Sequence, residues 1–126
     1  MKIPSTHQSL MAYLIVPDAK QFFNFCQKVF GAEKTYELLR EGTDTIQHAE
    51  LQINGITIMF ANAIEQWPPE TGSFFIYVDD ADKTYKVALE NGASSILDLS
   101  TKDYGRTCGV KDPSGNTWWI TSLPGK

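Results

Sequence analysis

The chain has 126 residues, of which 42% are hydrophobic and 21% are charged. This is the composition of a globular domain, and it excludes disordered, collagen-like and low-complexity classes. Fifteen acidic against eleven basic residues give a formal net charge of −4, the wrong sign for a protein that follows nucleic-acid phosphates. No apolar run is long enough to cross a bilayer, and the N-terminus has no apolar secretion core. We therefore expect a cytoplasmic protein without nucleic-acid or membrane partners, in which Cys26 and Cys108 are free thiols.

The chain begins with a predicted strand and helix. Residues 9–16 are rich in β-branched and aromatic side chains, and Pro17 ends this strand. Asp18 is placed to cap a helix, and Gly31 is placed to stop it. Between them, apolar residues recur at the helical period: Phe22, Phe25, Cys26 and Val29.

Three further strands are predicted at residues 35–40, 46–53 and 56–61. Asn54-Gly55 joins the last two, and both of these residue types accept positive φ. The pair therefore predicts a tight type I′ hairpin.

Residues 63–72 are polar, contain Pro68-Pro69 and read as a linker. After it the chain predicts a second series of elements: a strand at 73–78, a helix that starts at Asp79-Asp80 and ends at Gly92, and strands at 94–99, 104–111 and 117–123, the last two flanking a turn at 112–116.

The two halves repeat each other. Val16 is equivalent to Val78, 62 positions later. Gly31 is equivalent to Gly92 at an offset of 61, and Gly55 to Gly115 at an offset of 60. The sequence therefore predicts one α+β domain, residues 1–126, made of two tandem βαβββ modules at about 9–62 and 73–122 with a linker at 63–72. The modules are expected to form a curved mixed sheet around a cleft, with the helices on the convex face.

The two-residue period of strands predicts which side chains face the cleft. The rows that end at Val16 and Val78, directly before each helix, are expected to pack on the helices. The opposite rows then face the cleft: Met11, Tyr13, Ile15, Ser73, Phe75 and Tyr77.

The Asn54-Gly55 turn also sets the register of the first hairpin, pairing Glu50 with Met59. His48 shares the face of Glu50, whereas the opposite row of the hairpin is apolar and suits the helix. We therefore expect His48, Glu50 and Met59 in the cleft, with His48 and Glu50 as candidates for acid–base chemistry. A solvated polar face without function is the alternative.

The register of the second hairpin stays open, but one of Trp118 and Trp119 must point to each side. Trp119 is the candidate cleft wall, and core filling is its alternative. Arg106 is a candidate anchor for a carboxylate or phosphate, and an ordinary surface position is its alternative. A thiolate–imidazole pair of Cys108 with His48 is disfavoured against a buried structural thiol.

Several segments together resemble one family: Tyr13–Ala19, Phe30–Glu33, Gln47–Leu51, Phe75–Asp82, Tyr104–Arg106 and Val110–Trp118. They resemble the glyoxalase/bleomycin-resistance/extradiol-dioxygenase superfamily, also called the vicinal oxygen chelate superfamily, over residues 9–122. The resemblance implies the two-module fold. For short members of this kind, it also implies a homodimer.

Enzymes of that superfamily hold a divalent metal with four side chains, mostly His and Glu, from the first and last strand of each module. The matching positions of this chain carry Met11, Met59, Ser73 and Trp119, which do not suit such a metal. His7 is too far upstream to replace Met11 unless the strand starts differently. We therefore expect no metal and no other cofactor at the family position.

Two functions follow from this resemblance and from the residues. The first is metal-free binding of a small, partly aromatic molecule between Tyr13, Phe75, Tyr77 and Trp119, as antibiotic-binding members of the family do. The second is a lyase-, isomerase- or dioxygenase-type enzyme that uses His48 and Glu50 or a displaced divalent metal. A third, weaker alternative is a cleft that is filled with side chains and serves a dimer alone.

Overall fold

The computed structural model describes residues 1–125 and shows two βαβββ modules. The first module contains β1 (Tyr13–Val16), α1 (Ala19–Phe30), β2 (Glu33–Leu39), β3 (Ile46–Ile53) and β4 (Ile56–Asn62). The second contains β5 (Ser73–Tyr77), α2 (Ala81–Glu90), β6 (Ser94–Lys102), β7 (Gly105–Lys111) and β8 (Thr117–Ser122).

Each module forms its own four-stranded mixed sheet, in the order β1-β4-β3-β2 and β5-β8-β7-β6. The first strand of each module runs parallel to the last, and the other neighbours are antiparallel. Tyr13 lies opposite Met59 in the first module, and Phe75 lies opposite Trp119 in the second. The repeat in the sequence is therefore a repeat of both topology and register.

Both helices begin where the sequence predicts. Asp18 and Asp80 are the N-caps, and the Asp18 carboxylate accepts from the Gln21 amide at 3.1 Å. Gly31 ends α1 in the left-handed conformation with a φ of 70°, which glycine adopts without a steric penalty. The second helix ends one residue before Gly92, at a cap on Asn91. No helix among residues 1–125 is long and apolar enough to span a membrane.

A shared aromatic core joins the two modules. Trp118 is buried, and its ring lies 4.6 Å from the rings of both Phe30 and Phe74, measured between centroids. Leu14 and Val16 are buried, as predicted for the row that precedes α1. Trp118 is thus the tryptophan that fills the core.

Asp112 organises the turn before β8. Its buried carboxylate accepts from the amides of Ser114 and Asn116, from the Asn116 side chain and from Trp118 Nε1 at 2.8 Å. These four donors fix both the turn and the orientation of the core tryptophan. This segment, the most specific part of the family resemblance, therefore has a structural role.

Most element bounds agree with expectation within one or two residues, and two differ by more. β1 starts at Tyr13, four residues later than predicted, and the chain before it turns at residues 4–7, where the His7 amide donates to the Pro4 carbonyl at 3.0 Å. β6 continues to Lys102 because it pairs with Gly105 of β7 across a short turn. Tyr104 therefore lies in that turn rather than in a strand.

Candidate functional site

Each sheet has one face against its helix and an opposite face, which we call the open face. Phe60 of β4 contacts Phe22 of α1 with ring centroids 5.2 Å apart, which places the apolar row of the hairpin against the helix. The predicted pairing of Glu50 with Met59 is confirmed. His48, Glu50 and Met59 consequently lie on the open face of the first sheet, as predicted.

A chain of hydrogen bonds crosses this open face. His7 Nε2 lies 2.7 Å from Glu50 Oε1, and His48 Nε2 lies 2.8 Å from Glu50 Oε2. His48 Nδ1 lies 2.9 Å from the Tyr13 hydroxyl, whose ring stacks on the imidazole. One carboxylate therefore joins two imidazoles, and one of these reaches a phenol.

The direction of these bonds follows from the ionisation of Glu50. Burial raises the pKa of this carboxyl, but the hydrogen bonds and positive charge of His48 and His7 outweigh burial, so the pKa is lowered overall. An ionised carboxylate accepts and does not donate, so His48 Nε2 donates to it. When His48 is neutral, its Nδ1 is left to accept from the Tyr13 hydroxyl.

The phenol of Tyr13 stays protonated. Burial raises the pKa of Tyr13 and the charge of Glu50 raises it further, whereas the charge of Arg40 lowers it, with a net increase. Tyr13 therefore keeps its proton to donate in the hydrogen bond to a neutral His48, while its ring faces solvent on the other side, since this tyrosine is about half exposed.

His7, which the sequence places too far upstream to replace Met11, lies beside Glu50 at the open face. The segment of residues 4–8 folds over the open face, where Gln8 bonds the Thr57 carbonyl at 2.9 Å and the Thr57 amide at 3.2 Å. The Thr57 hydroxyl also donates to the Thr6 carbonyl. This N-terminal segment covers Thr57 and places His7 beside Glu50, although it is not part of β1.

A cavity of about 450 Å³ lies beside Tyr13. Its walls come from β1, the β2–β3 turn, β3, β4 and the linker: Tyr13, Ile15, Arg40, Gln47, Ala61, Asn62, Trp67 and Glu70. Two half-exposed aromatic rings, Tyr13 and Trp67, stand in this lining together with one guanidinium. We call this cavity the Tyr13 pocket.

Arg40, Trp67 and Gln47 are among the pocket residues that the sequence does not predict. Arg40 follows β2 and reaches across to donate to the Asn62 carbonyl at 2.9 Å. Trp67 belongs to the linker, where mutual backbone bonds with Ile64 at 3.0 Å hold it in a closed turn. Gln47 lies at a break in register, since Leu38 pairs with His48 but the next residue pairs with Ile46. Of these three residues, only Trp67 could have been suspected from the sequence, because a large aromatic residue is unusual in a polar linker.

The second sheet presents Phe75, Tyr77 and Trp119 on its open face. The rings of Phe75 and Tyr77 meet edge to face with centroids 5.3 Å apart, and Trp119 Nε1 donates to Ser73 Oγ at 3.2 Å. Trp119 lies over Gly109, opposite it in the register. The prediction of one tryptophan on each side is confirmed, but these three aromatic residues do not line the Tyr13 pocket.

The expectation that Arg106 reaches the cleft is wrong. Its guanidinium bonds both carboxylate oxygens of Asp82 in α2, at 2.9 and 3.2 Å, on the helix side of the sheet. This pairing lowers the pKa of Asp82 and raises that of Arg106. Arg106 therefore takes its alternative role as a partly exposed surface residue.

The disfavoured thiolate–imidazole pair does not form either. Cys108 is fully buried in the core, where burial raises its pKa to about 11. His48 lies on the open face of the other sheet. The thiol is therefore protonated and remote from the imidazole.

The family metal does not fit these residues. Trp119 and Ser73, at two of the family positions, bond each other, and Met59 is at a third. Within residues 1–125 no group of three or more His, Cys, Asp or Glu side chains is arranged to hold a metal ion. At the matching positions this chain carries thioether, hydroxyl and indole side chains instead of His and Glu.

Comparison with known families agrees with this architecture. The model of the Glyoxalase/Bleomycin resistance protein/Dioxygenase superfamily matches residues 7–120, and the chain belongs to this superfamily. An uncharacterized protein of Mycobacterium bovis is 30% identical over 123 residues, which cover 87% of this chain and 80% of that protein.

Solved structures share the fold at low identity. The PhnB protein from Bacillus cereus has a TM-score of 0.77 and 16% identity, covering 92% of this chain and all of that one. TnmS3 from Streptomyces sp. CB03234, described as an antibiotic binding protein, has a TM-score of 0.68 and 15% identity, covering 93% of this chain and 99% of that one. At these identities the likeness shows the fold alone.

Proposed function

We propose that the protein binds a small, partly aromatic molecule without the metal of the superfamily's enzymes. The observation that carries the proposal is the Tyr13 pocket, whose 450 Å³ lies within the range of small-molecule sites. Tyr13 and Trp67 supply flat apolar surface with polar edges, which suits an aromatic ligand. The antibiotic-binding description of TnmS3, a protein of the same fold, supports this class of function.

The remaining open faces support a homodimer as part of the proposal. Tyr36 and Leu38 of β2 are 49% and 42% exposed, and Phe75 and Tyr77 of the second sheet are 53% and 56% exposed. Large apolar side chains exposed together on a sheet face often mark an interface. Because the two modules repeat each other, a second copy of this chain would place its Phe75 and Tyr77 opposite Tyr13. The predicted cleft would then form between two chains instead of within one.

A cytoplasmic location completes the proposal. Cys26 and Cys108 are both free and buried, which fits a reducing compartment.

A panel of neutral, anionic and cationic bicyclic aromatic compounds tests the proposal by saturation-transfer NMR. We expect at least one member to bind the native protein and the control Tyr104→Ala, which removes an exposed tyrosine from the β6–β7 turn. Binding should be lost in Trp67→Ala. Equal binding by all three proteins, or no binding by any, would contradict the proposed site.

Acid–base catalysis is the second candidate function, and the bonded chain from His7 to Tyr13 favours it. Glu50 orients His48, His48 accepts from the Tyr13 hydroxyl, and that hydroxyl lies at the wall of the pocket. A phenol backed by an oriented imidazole can pass a proton to or from a bound ligand.

Deuterium exchange into phenylpyruvate, an enolisable aromatic keto acid, tests this candidate. We expect the native protein to accelerate exchange and Tyr13→Phe to lose the acceleration while still binding the probe. Equal exchange rates with the two proteins would remove Tyr13 from the chemistry.

A further inference from the structure

The charge of Arg40 is unmatched inside the Tyr13 pocket. Among residues 1–125, no carboxylate lies within the 4.0 Å that defines an ion pair with its guanidinium. Glu70, the acidic residue of the lining, is exposed and is not such a partner. The pocket therefore presents a guanidinium that forms no ion pair with any described residue.

One donor of this guanidinium is also unsatisfied. Arg40 Nη2 donates to the Asn62 carbonyl, but Arg40 Nε is buried and has no acceptor. A buried N–H without a partner is unfavourable, and such groups in native structures call for an explanation. Nε is too buried to meet a bound molecule directly, so it marks a guanidinium that the protein leaves short of acceptors.

The surroundings hold the guanidinium in place. Asn62 is fixed by its own bonds, accepting from the Ile46 amide at 3.0 Å and donating to the Pro17 carbonyl at 3.3 Å. Arg40 is in turn anchored through its backbone, which pairs with Thr45 at 2.9 Å. Little side-chain freedom is therefore left to lose on binding.

We infer that the pocket takes a flat aromatic carboxylic acid, with the carboxylate on Arg40 and the ring between Tyr13 and Trp67. This inference rests on the proposed function and names its ligand class. A planar guanidinium matches a carboxylate in geometry as well as in charge. A cationic aromatic molecule would instead meet the like charge of Arg40.

Paired titrations with 2-naphthoate and 2-naphthamide test the inference, because these probes share a ring system and differ in charge. Calorimetry should show 2-naphthoate binding the native protein more tightly than the amide does. Arg40→Gln should weaken 2-naphthoate roughly tenfold or more and leave 2-naphthamide unchanged. Arg106→Gln, which removes a guanidinium bonded to Asp82 outside the pocket, should match the native protein.

Arg40→Lys provides a second variant that keeps the charge without the planar fork, and an intermediate loss is expected from it. Thermal unfolding confirms that each variant is folded. Equal affinity of the native protein for the two probes, or full 2-naphthoate binding by Arg40→Gln, overturns the inference while leaving an aromatic pocket in place. Failure of both probes and of the wider aromatic panel overturns the proposed function as well.

Discussion

Glu50 is the residue on which the open face of the first sheet depends. It is 8% exposed, yet it accepts from two imidazoles, one from its own strand and one from the N-terminal segment. These bonds more than compensate for its burial, which is why the carboxyl remains ionised. The bond from His48 to Glu50 also orients His48 toward the Tyr13 hydroxyl. A substitution at Glu50 should therefore change the position of Tyr13 in the pocket wall.

Replacing Glu50 with Gln should lower the free energy of unfolding by about 1 kcal/mol at neutral pH, since hydrogen bonds to a charged group are lost. The folded-state pKa lies below the ordinary 4.5. The stabilisation by ionised Glu50 is therefore complete above pH 4.5 and is lost as pH falls through the lower folded-state pKa. Urea unfolding across this range measures the difference, and Glu65→Gln in the exposed linker is the control. A native-to-variant difference that is independent of pH would contradict this assignment.

Trp119 requires the absence of a side chain at Gly109. A Cβ at Gly109 would stand 2.5 Å from the tryptophan ring, so Gly109→Ala should lower the free energy of unfolding by about 1–3 kcal/mol. In a Trp119→Ala background the same substitution should have little effect, because the clash is gone. A double-mutant cycle by chemical denaturation measures the coupling. Additive effects would show that the ring does not lie on this glycine.

Two elements at the ends of the modules have different roles. The N-terminal segment at residues 4–8 belongs to the open face, where it covers Thr57 and brings His7 to Glu50. The turn led by Asp112 belongs to the core, where it holds Trp118 between the modules. We therefore expect changes in the first to alter the site and changes in the second to alter stability.

Four groups donate to the Asp112 carboxylate, and Asp112→Asn replaces one of its two acceptor oxygens with an NH₂ group, which is itself a donor. We expect a loss of about 2–4 kcal/mol in the free energy of unfolding, since buried donors are left without partners. Thermal and urea unfolding measure it. Asp98→Asn, whose carboxylate bonds the exposed hydroxyls of Tyr85 and Ser95, should change stability by less than about 0.5 kcal/mol. Equal effects of the two substitutions would contradict the role of Asp112.

Gln8→Ala should release the N-terminal segment from the sheet. The Thr57 amide loses its acceptor on Gln8, so its hydrogen exchange should accelerate severalfold. The Met59 amide, which bonds the Ala12 carbonyl at 3.0 Å, is an internal reference that should not change. Exchange measured by NMR distinguishes the two positions, and unchanged protection of Thr57 would contradict the contact.

Local patterns explain most of what the sequence predicted correctly. The caps at Asp18 and Asp80, the Asn54-Gly55 turn and the strand rows depend on neighbouring residues, so periodicity and turn chemistry identify them. Arg106 shares a row with the buried Cys108 and Val110, and this alternation already favours the helix side.

The pocket depends on features that no local pattern encodes. His7 and Trp67 lie in segments without regular structure, and their positions follow from how those segments fold back on the sheet. Gln47 reaches the pocket at an irregularity of strand pairing, which simple alternation does not anticipate. Arg40 follows its strand, where side-chain direction is set by the turn. The candidate site was therefore predicted in part, through Tyr13, His48 and Glu50.

At the scale of the whole molecule, two similar modules meet back to back through Trp118 and leave both open faces outward. The Tyr13 pocket lies on the first of these faces, and Phe75, Tyr77 and Trp119 lie on the second. The proposed homodimer would bring the two kinds of face together and enclose the ligand between chains. Dimerisation, aromatic binding and independence from a metal are thus three parts of one proposal.

Native mass spectrometry of the untagged protein, purified without chelators and titrated with 2-naphthoate, tests this proposal most directly. We predict a species of twice the 14.1-kDa chain mass that carries no stoichiometric metal ion and gains one probe molecule per chain. Stoichiometric manganese, iron, nickel or zinc, or a monomer that takes up no probe, would contradict it.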